Sequence, residues 1–171
     1  MEEQLFRFRT AMSRDEPAIL AIIRQAQARM RAAGSPQWQD GYPAAEHIAA
    51  DTARGAGQVV CIGEKGVVAY GAVIYDGEPA YERLEGQWLT RGPYVAVHRL
   101  AVADGYTGRG VGSAFLRQVE EEARAKGLRG FRIDTHTDNR SMLRLLERLG
   151  FVPCGKVRYE SGERLAFEKA L

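Results

Sequence analysis

Four of the eight residues from Gly105 to Gly112, in "GYTGRGVG", are glycine, and the chain runs straight on into "SAFLRQVEEEARAKG", which has the period of a helix. Glycine has no Cβ, so such a run can turn sharply and let a ligand come close to the backbone N–H groups. The helix that follows adds unpaired N–H groups and the positive end of its dipole. Together they form an anion site whose common guest is phosphate. The plainer alternative is a strand-to-helix turn that happens to be rich in glycine. Two phosphate motifs do not fit. Gly108, Gly110 and Gly112 are spaced G-x-G-x-G, with Ser113 where a dinucleotide fingerprint has its third glycine, and no Gly-Lys-Ser/Thr follows.

On either side of this turn the apolar period alternates between strand and helix. "LFRFRTA" reads as a strand, and "SRDE" as a capping box in which Ser13 caps and Glu16 reaches back. Ile19, Ile22, Ile23, Ala26 and Met30 recur at helical spacing up to Gly34, and a weaker helix follows Pro43. "QVVCIGEKGVVAYGAVIYDGE" predicts a hairpin turning at Glu64 to Gly66, whereas residues 77–93 show no clean period. "YVAVHRLAV" is a strand that enters the glycine turn. Beyond it, Phe115, Val119 and Ala123 mark one face of a helix, and "GFRIDT" is a strand. Met142, Leu145, Leu146 and Leu149 mark another helix, and two strands close the chain. The pattern predicts an α/β fold on a mixed sheet.

With 45% hydrophobic residues in 171, the chain suits one core, so a single domain over 1–171 is expected. Lysine and arginine number 24 against 22 acidic residues, too even a balance for a nucleic-acid surface. Cys61 and Cys154 lack metal-type spacing, and "MEEQLFRF" lacks the basic and apolar regions of a leader. No stretch is apolar enough for a membrane helix. A reducing, cytoplasmic setting with both thiols buried is therefore expected.

"HRLAV", "TGRGVG", a helix, "RIDTH" and "DNRSMLRLLERLGF" follow one another over residues 94–169 in an order that resembles the GNAT superfamily of acyl-CoA-dependent N-acetyltransferases. The resemblance implies a mostly antiparallel central sheet with a splayed pair of parallel strands, flanked by helices. It implies acetyl-CoA as co-substrate and direct transfer of the acetyl group to a primary amine. The family turn, Q/R-x-x-G-x-G/A, falls on Thr107, Gly108, Arg109, Gly110, Val111 and Gly112, with Ser113 following. Thr107 stands where Gln or Arg is usual, and Arg109 could supply the cation. By the same resemblance the backbone of Leu100, Ala101 and Val102 pairs with the pantetheine arm, and the Leu100 N–H is the oxyanion donor. Asn139 matches an asparagine that contacts pantetheine, although it would also serve as a helix cap.

His98 lies two residues before Leu100, on the same face if the strand alternates regularly. The resemblance makes it the general base, where it would otherwise be structural. Leu146 stands where the family often carries a tyrosine that protonates the thiolate. This leaves water, Tyr159 or Cys154 as donor. It also supports a second reading, a non-catalytic acyl-CoA sensor. Asp134, His136 and Asp138 alternate like metal ligands, but with no fourth partner they read better as a hydrogen-bonded strand end, so no metal is expected. Trp38, Tyr42 and Trp88, on loops with Tyr81, are the candidate acceptor-binding residues, or else they cap the core. Asp40, Glu82 and Glu85 could attract a cationic amine. A small-molecule or peptide amine is the expected acceptor: small amine, amino acid, antibiotic, peptide N-terminus and protein lysine all fit. A homodimer is compatible with this reading.

Overall fold

The structure is a computed structural model that describes residues 5–64 and 66–171. Its strands are β1 (Phe6–Thr10), β2 (Gly57–Ile62), β3 (Val67–Ile74), β4 (Glu85–Gly86), β5 (Tyr94–Val102), β6 (Gly130–Thr135), β7 (Val152–Tyr159) and β8 (Gly162–Ala170). The helices are α1 (Glu16–Ala32), α2 (Ala45–Ala53), α3 (Val111–Ala125) and α4 (Arg140–Arg148), with short 3-10 turns at Ser13–Asp15 and Pro79–Arg83. The strand order β1-β2-β3-β5-β6-β8-β7-β4 gives a mixed, mostly antiparallel sheet whose parallel pair is β5–β6. Two compact units divide the chain: one runs to Val73 and resumes over Arg99–Leu116, and the other comprises Ile74–His98 and Arg117–Leu171.

In the first unit, β1 pairs antiparallel with β2 and β2 with β3, the latter as the expected hairpin. Lys65, within the expected Glu64 to Gly66 turn, lies outside the described residues. The apolar stripe of α1 buries Ile19, Ile22, Ile23 and Ala26 against Ile48 of α2, Val59, Tyr70 and Ala101. The expected capping box is corrected by one residue. Met12 N–H donates to Asp15 Oδ2 at 2.8 Å, so the carboxylate that reaches back belongs to Asp15 rather than Glu16. Arg9, 2.7 Å from that same oxygen, holds Asp15 there and, with burial working against it, keeps its pKa below the usual carboxylate value.

Gly71 on β3 is a close-approach glycine. A Cβ there would stand 2.5 Å from Cζ of the fully buried Phe115 at the start of α3, whose ring also meets Phe8 at 5.0 Å. Gly71→Ala is therefore expected to cost about 1–3 kcal/mol by overpacking, read as a lower thermal midpoint.

In the second unit, β5 pairs parallel with β6 only from Tyr94 to Ala96, opposite Gly130 to Arg132. Both strands continue beyond that register, as the splayed pair requires. On its other edge β6 pairs antiparallel with β8, β8 with β7, and β7 with the two-residue β4. The aperiodic 77–93 stretch is held by side chains. Glu168, 0% exposed on β8, accepts from Leu89 N–H (2.6 Å), Thr90 N–H (3.0 Å), the Thr90 hydroxyl (2.6 Å) and Arg132 Nε (3.0 Å). The Arg132 guanidinium is sandwiched between Trp88 (4.3 Å) and Tyr94 (4.1 Å).

Candidate active site

The glycine turn is as open as its composition suggests. Gly105, Gly108 and Gly110 have φ of 84°, 73° and 80°, a region that side chains disfavour, and a Cβ at any of them would meet nothing within 4 Å. The first helical bond of α3 runs from Ala114 N–H to the Gly110 carbonyl (2.9 Å). The N–H groups of Gly110, Val111, Gly112 and Ser113 thus have no intrahelical acceptor. Thr107 to Gly110 are exposed, whereas the Val111 side chain is buried, so Val111 can meet a ligand only through its backbone. Arg109 folds back over the turn, donating to the Gly105 carbonyl at 3.1 Å and lying 5.2 Å from the Tyr106 ring.

Helix α1 braces the approach to this turn. Arg29 donates to the Val102 carbonyl at 2.7 Å and pairs with Asp104, while Gln25 accepts from Asp104 N–H at 2.8 Å. The sequence reading missed both residues. They lie beside the stripe of α1 that it followed. Ala101 is in the core, and Leu100 and Val102 are partly buried.

Regular alternation through β5 does not hold. Arg99 has φ of 58°, a left-handed residue inside a strand, so the period of two cannot carry a face from His98 to Leu100. Arg99 forks onto buried Asp51, Nε to Oδ2 at 2.8 Å and Nη2 to Oδ1 at 2.6 Å, and its Nη1 donates to the Tyr42 hydroxyl at 2.9 Å. The Tyr70 hydroxyl also donates to Asp51, and burial followed by that carboxylate raises the Tyr70 pKa.

His98, in the second unit, is mostly buried, with Nε2 3.2 Å from Glu78 Oε2. The contact is not aligned as a hydrogen bond. Nε2 is the buried side-chain polar atom that has no such partner among the described residues. An unsatisfied buried nitrogen beside a carboxylate is the kind of exception that marks reactive positions. Glu78, missed in the sequence, caps the 3-10 turn by accepting from Ala80 N–H (3.1 Å). The Tyr81 ring lies 6.0 Å from the imidazole, and its hydroxyl donates to Asp134 Oδ2 at 2.7 Å, an oxygen that Tyr159 also reaches at 2.8 Å.

The remaining expected residues have local work. Asn139 caps α4, its Oδ1 accepting from Met142 N–H at 3.2 Å. Leu146 is 0% exposed in the core. Trp88 stacks on Arg132 and donates to the Tyr81 carbonyl at 3.0 Å, and Trp38 packs on the core of the first unit. Tyr42 is 38% exposed, its ring set edge-on to His47. Asp134 serves its two tyrosines, and His136 lies 3.4 Å from Asp138.

Burial, aided by Arg164, holds His136 below the ordinary imidazole pKa against the opposing pull of Asp138. Below pH ~6.5 the unfolded chain then binds more protons than the folded one, so stability falls as pH drops through that value. His136→Gln is expected to flatten this slope in thermal midpoints measured from pH 5 to 7.5.

A mixed sheet with a short parallel pair thus leads through β5 into a glycine turn at a helix N-terminus. The sequence profile of the acetyltransferase (GNAT) family matches residues 22–151, and the chain belongs to that family. An acetyltransferase of the GNAT family from Streptococcus agalactiae is 34% identical, with TM-score 0.88 over 97% of this chain and 95% of that one. A GNAT-family acetyltransferase from Listeria monocytogenes has the same fold at 17% identity, TM-score 0.77, over 97% and 95% of the two chains. So has the PaiA N-acetyltransferase of Thermoplasma acidophilum, solved in complex with coenzyme A, at 13% identity and TM-score 0.72 over 98% and 99%. Among curated proteins no relative matches. No helix among the described residues is long and apolar enough to cross a membrane.

Proposed function

We propose that the protein transfers the acetyl group of acetyl-CoA to a primary amine by direct attack, with no covalent enzyme intermediate, and that the whole chain acts as one catalytic domain. The observation that carries this reading is the open turn at the start of α3, with three left-handed glycines and a row of N–H groups without helical partners. These groups, from Gly110 to Ser113, together with the backbone of Gly108 and Arg109 ahead of them, suit a pyrophosphate, with the Thr107 hydroxyl and the Arg109 guanidinium as flanking donors. The backbone of Leu100, Ala101 and Val102 takes the pantetheine arm, assisted by the Asn139 amide nitrogen, and the Leu100 N–H faces the developing oxyanion.

His98 is the general base. The Glu78 carboxylate lies 3.2 Å from the imidazole Nε2, the buried nitrogen without a hydrogen bond among the described residues. An amine such as a lysine side chain arrives protonated, with a pKa of about 10.4, and must lose that proton before attack. The exposed Tyr42 ring suits a cationic amine of small-molecule or peptide origin. With Leu146 in the core, water protonates the thiolate. The buried, free Cys61 and Cys154 suit a reducing cytoplasm.

Calorimetry with CoA tests the turn. Gly110→Val and Gly112→Trp are expected to weaken binding at least about tenfold, or ~1.4 kcal/mol, while the fold is kept. Unchanged affinity in both would overturn the assignment. The burial of Leu146 favours a second reading, a CoA-binding sensor without turnover.

A further inference from the structure

We propose that Asp51 is a positioning residue, which by gripping Arg99 fixes the left-handed backbone of that residue in β5 and so sets the direction of the Leu100 N–H. The inference rests on the reading of that N–H as oxyanion donor. A left-handed backbone is unfavourable for any residue with a Cβ, and it persists where its surroundings over-determine it. Arg99 is such a residue, without the short polar side chain that eases the conformation in Asn or Asp.

What holds it is visible. The paired side chains are 14% and 3% exposed, and two parallel N–H···O bonds of 2.8 and 2.6 Å join them. Bidentate geometry fixes direction as well as distance. Asp51 cannot easily yield, because it sits on α2, which Ile48 anchors in the core, and it also accepts from Tyr70. The third donor of Arg99 ends on Tyr42. All these groups belong to one compact unit. The peptide following Arg99 carries the Leu100 N–H, so releasing the guanidinium would let that N–H swing away from the oxyanion.

The test separates the backbone effect from the loss of charge. Arg99→Ala and Arg99→Gly both remove the guanidinium, but only glycine adopts φ near +58° freely. Arg99→Ala is expected to lower kcat about tenfold more than Arg99→Gly, with equal affinity for CoA in both. In the same way, Asp51→Asn should lose activity that Asp51→Asn with Arg99→Gly regains. The Leu100 amide resonance should shift in Asp51→Asn and return in the double variant, a readout independent of turnover. Equal kcat in the alanine and glycine variants, or an unmoved Leu100 resonance in Asp51→Asn, would overturn the inference. If wild-type protein releases no thiol with any amine, the acetyl-transfer reading falls instead, and the resonance alone decides whether Asp51 sets the backbone at Arg99.

Discussion

Glu168→Ala is expected to destabilise the protein by about 3–5 kcal/mol, the range for removing one partner of a buried ion pair. Glu168 is fully buried and accepts four hydrogen bonds, so its loss strands the Arg132 guanidinium together with the N–H groups of Leu89 and Thr90. Each stranded donor keeps its desolvation cost without return. Urea unfolding checks this: the midpoint should fall while the slope stays nearly constant. A double change, Glu168→Leu with Arg132→Met, should be much milder, because it removes both charges and leaves apolar volume. If the double change proved as damaging as Glu168→Ala, the loss would lie in packing and not in stranded charge. The clasp also holds Thr90 and Trp88, so its loss should loosen the segment that presents Glu78.

His98→Ala is expected to lower kcat by about 10²–10⁴-fold, with little change in affinity for acetyl-CoA. The imidazole is the basic side chain on β5 that has a carboxylate beside it and a buried nitrogen without a hydrogen bond. Its removal should also abolish the lower limb of the pH–rate profile. Glu78→Gln should give a smaller loss in kcat, because it removes the carboxylate beside Nε2 and leaves the imidazole in place. Retention of both rate and limb in His98→Ala would make His98 structural and leave an acceptor-side carboxylate or solvent as the base.

Most of the scaffold was legible in the sequence. β5 and β6 fall where "YVAVHRLAV" and "GFRIDT" were read, and α3 opens at Val111, because apolar period and glycine punctuation agree there. The misses have physical reasons. "SRDE" offers two adjacent carboxylates, and the choice of Asp15 follows from the 3-10 turn before α1 and from the pull of Arg9, which is six residues away. Nothing marks Arg99 as left-handed, because the cause is Asp51, 48 residues distant. Glu78 lies in a stretch ordered by Glu168 and Arg132, which leaves no local period to read. Trp88 looked like a pocket aromatic, since the arginine stacked on it comes from another strand.

The central claim, acetyl transfer from acetyl-CoA to an amine, is tested most directly by incubating the full-length protein with acetyl-CoA and a panel of amines, and following free thiol together with acetylated amine by mass spectrometry. The panel spans small amines, amino acids, aminoglycosides, a peptide with a free N-terminus and a lysine peptide. The expected result is thiol released in equal amount to acetylated product for at least one amine, with no burst in the absence of amine. Tight CoA binding with no release above hydrolysis for any amine would contradict the account and favour the sensor, and a thiol burst without amine would contradict direct attack.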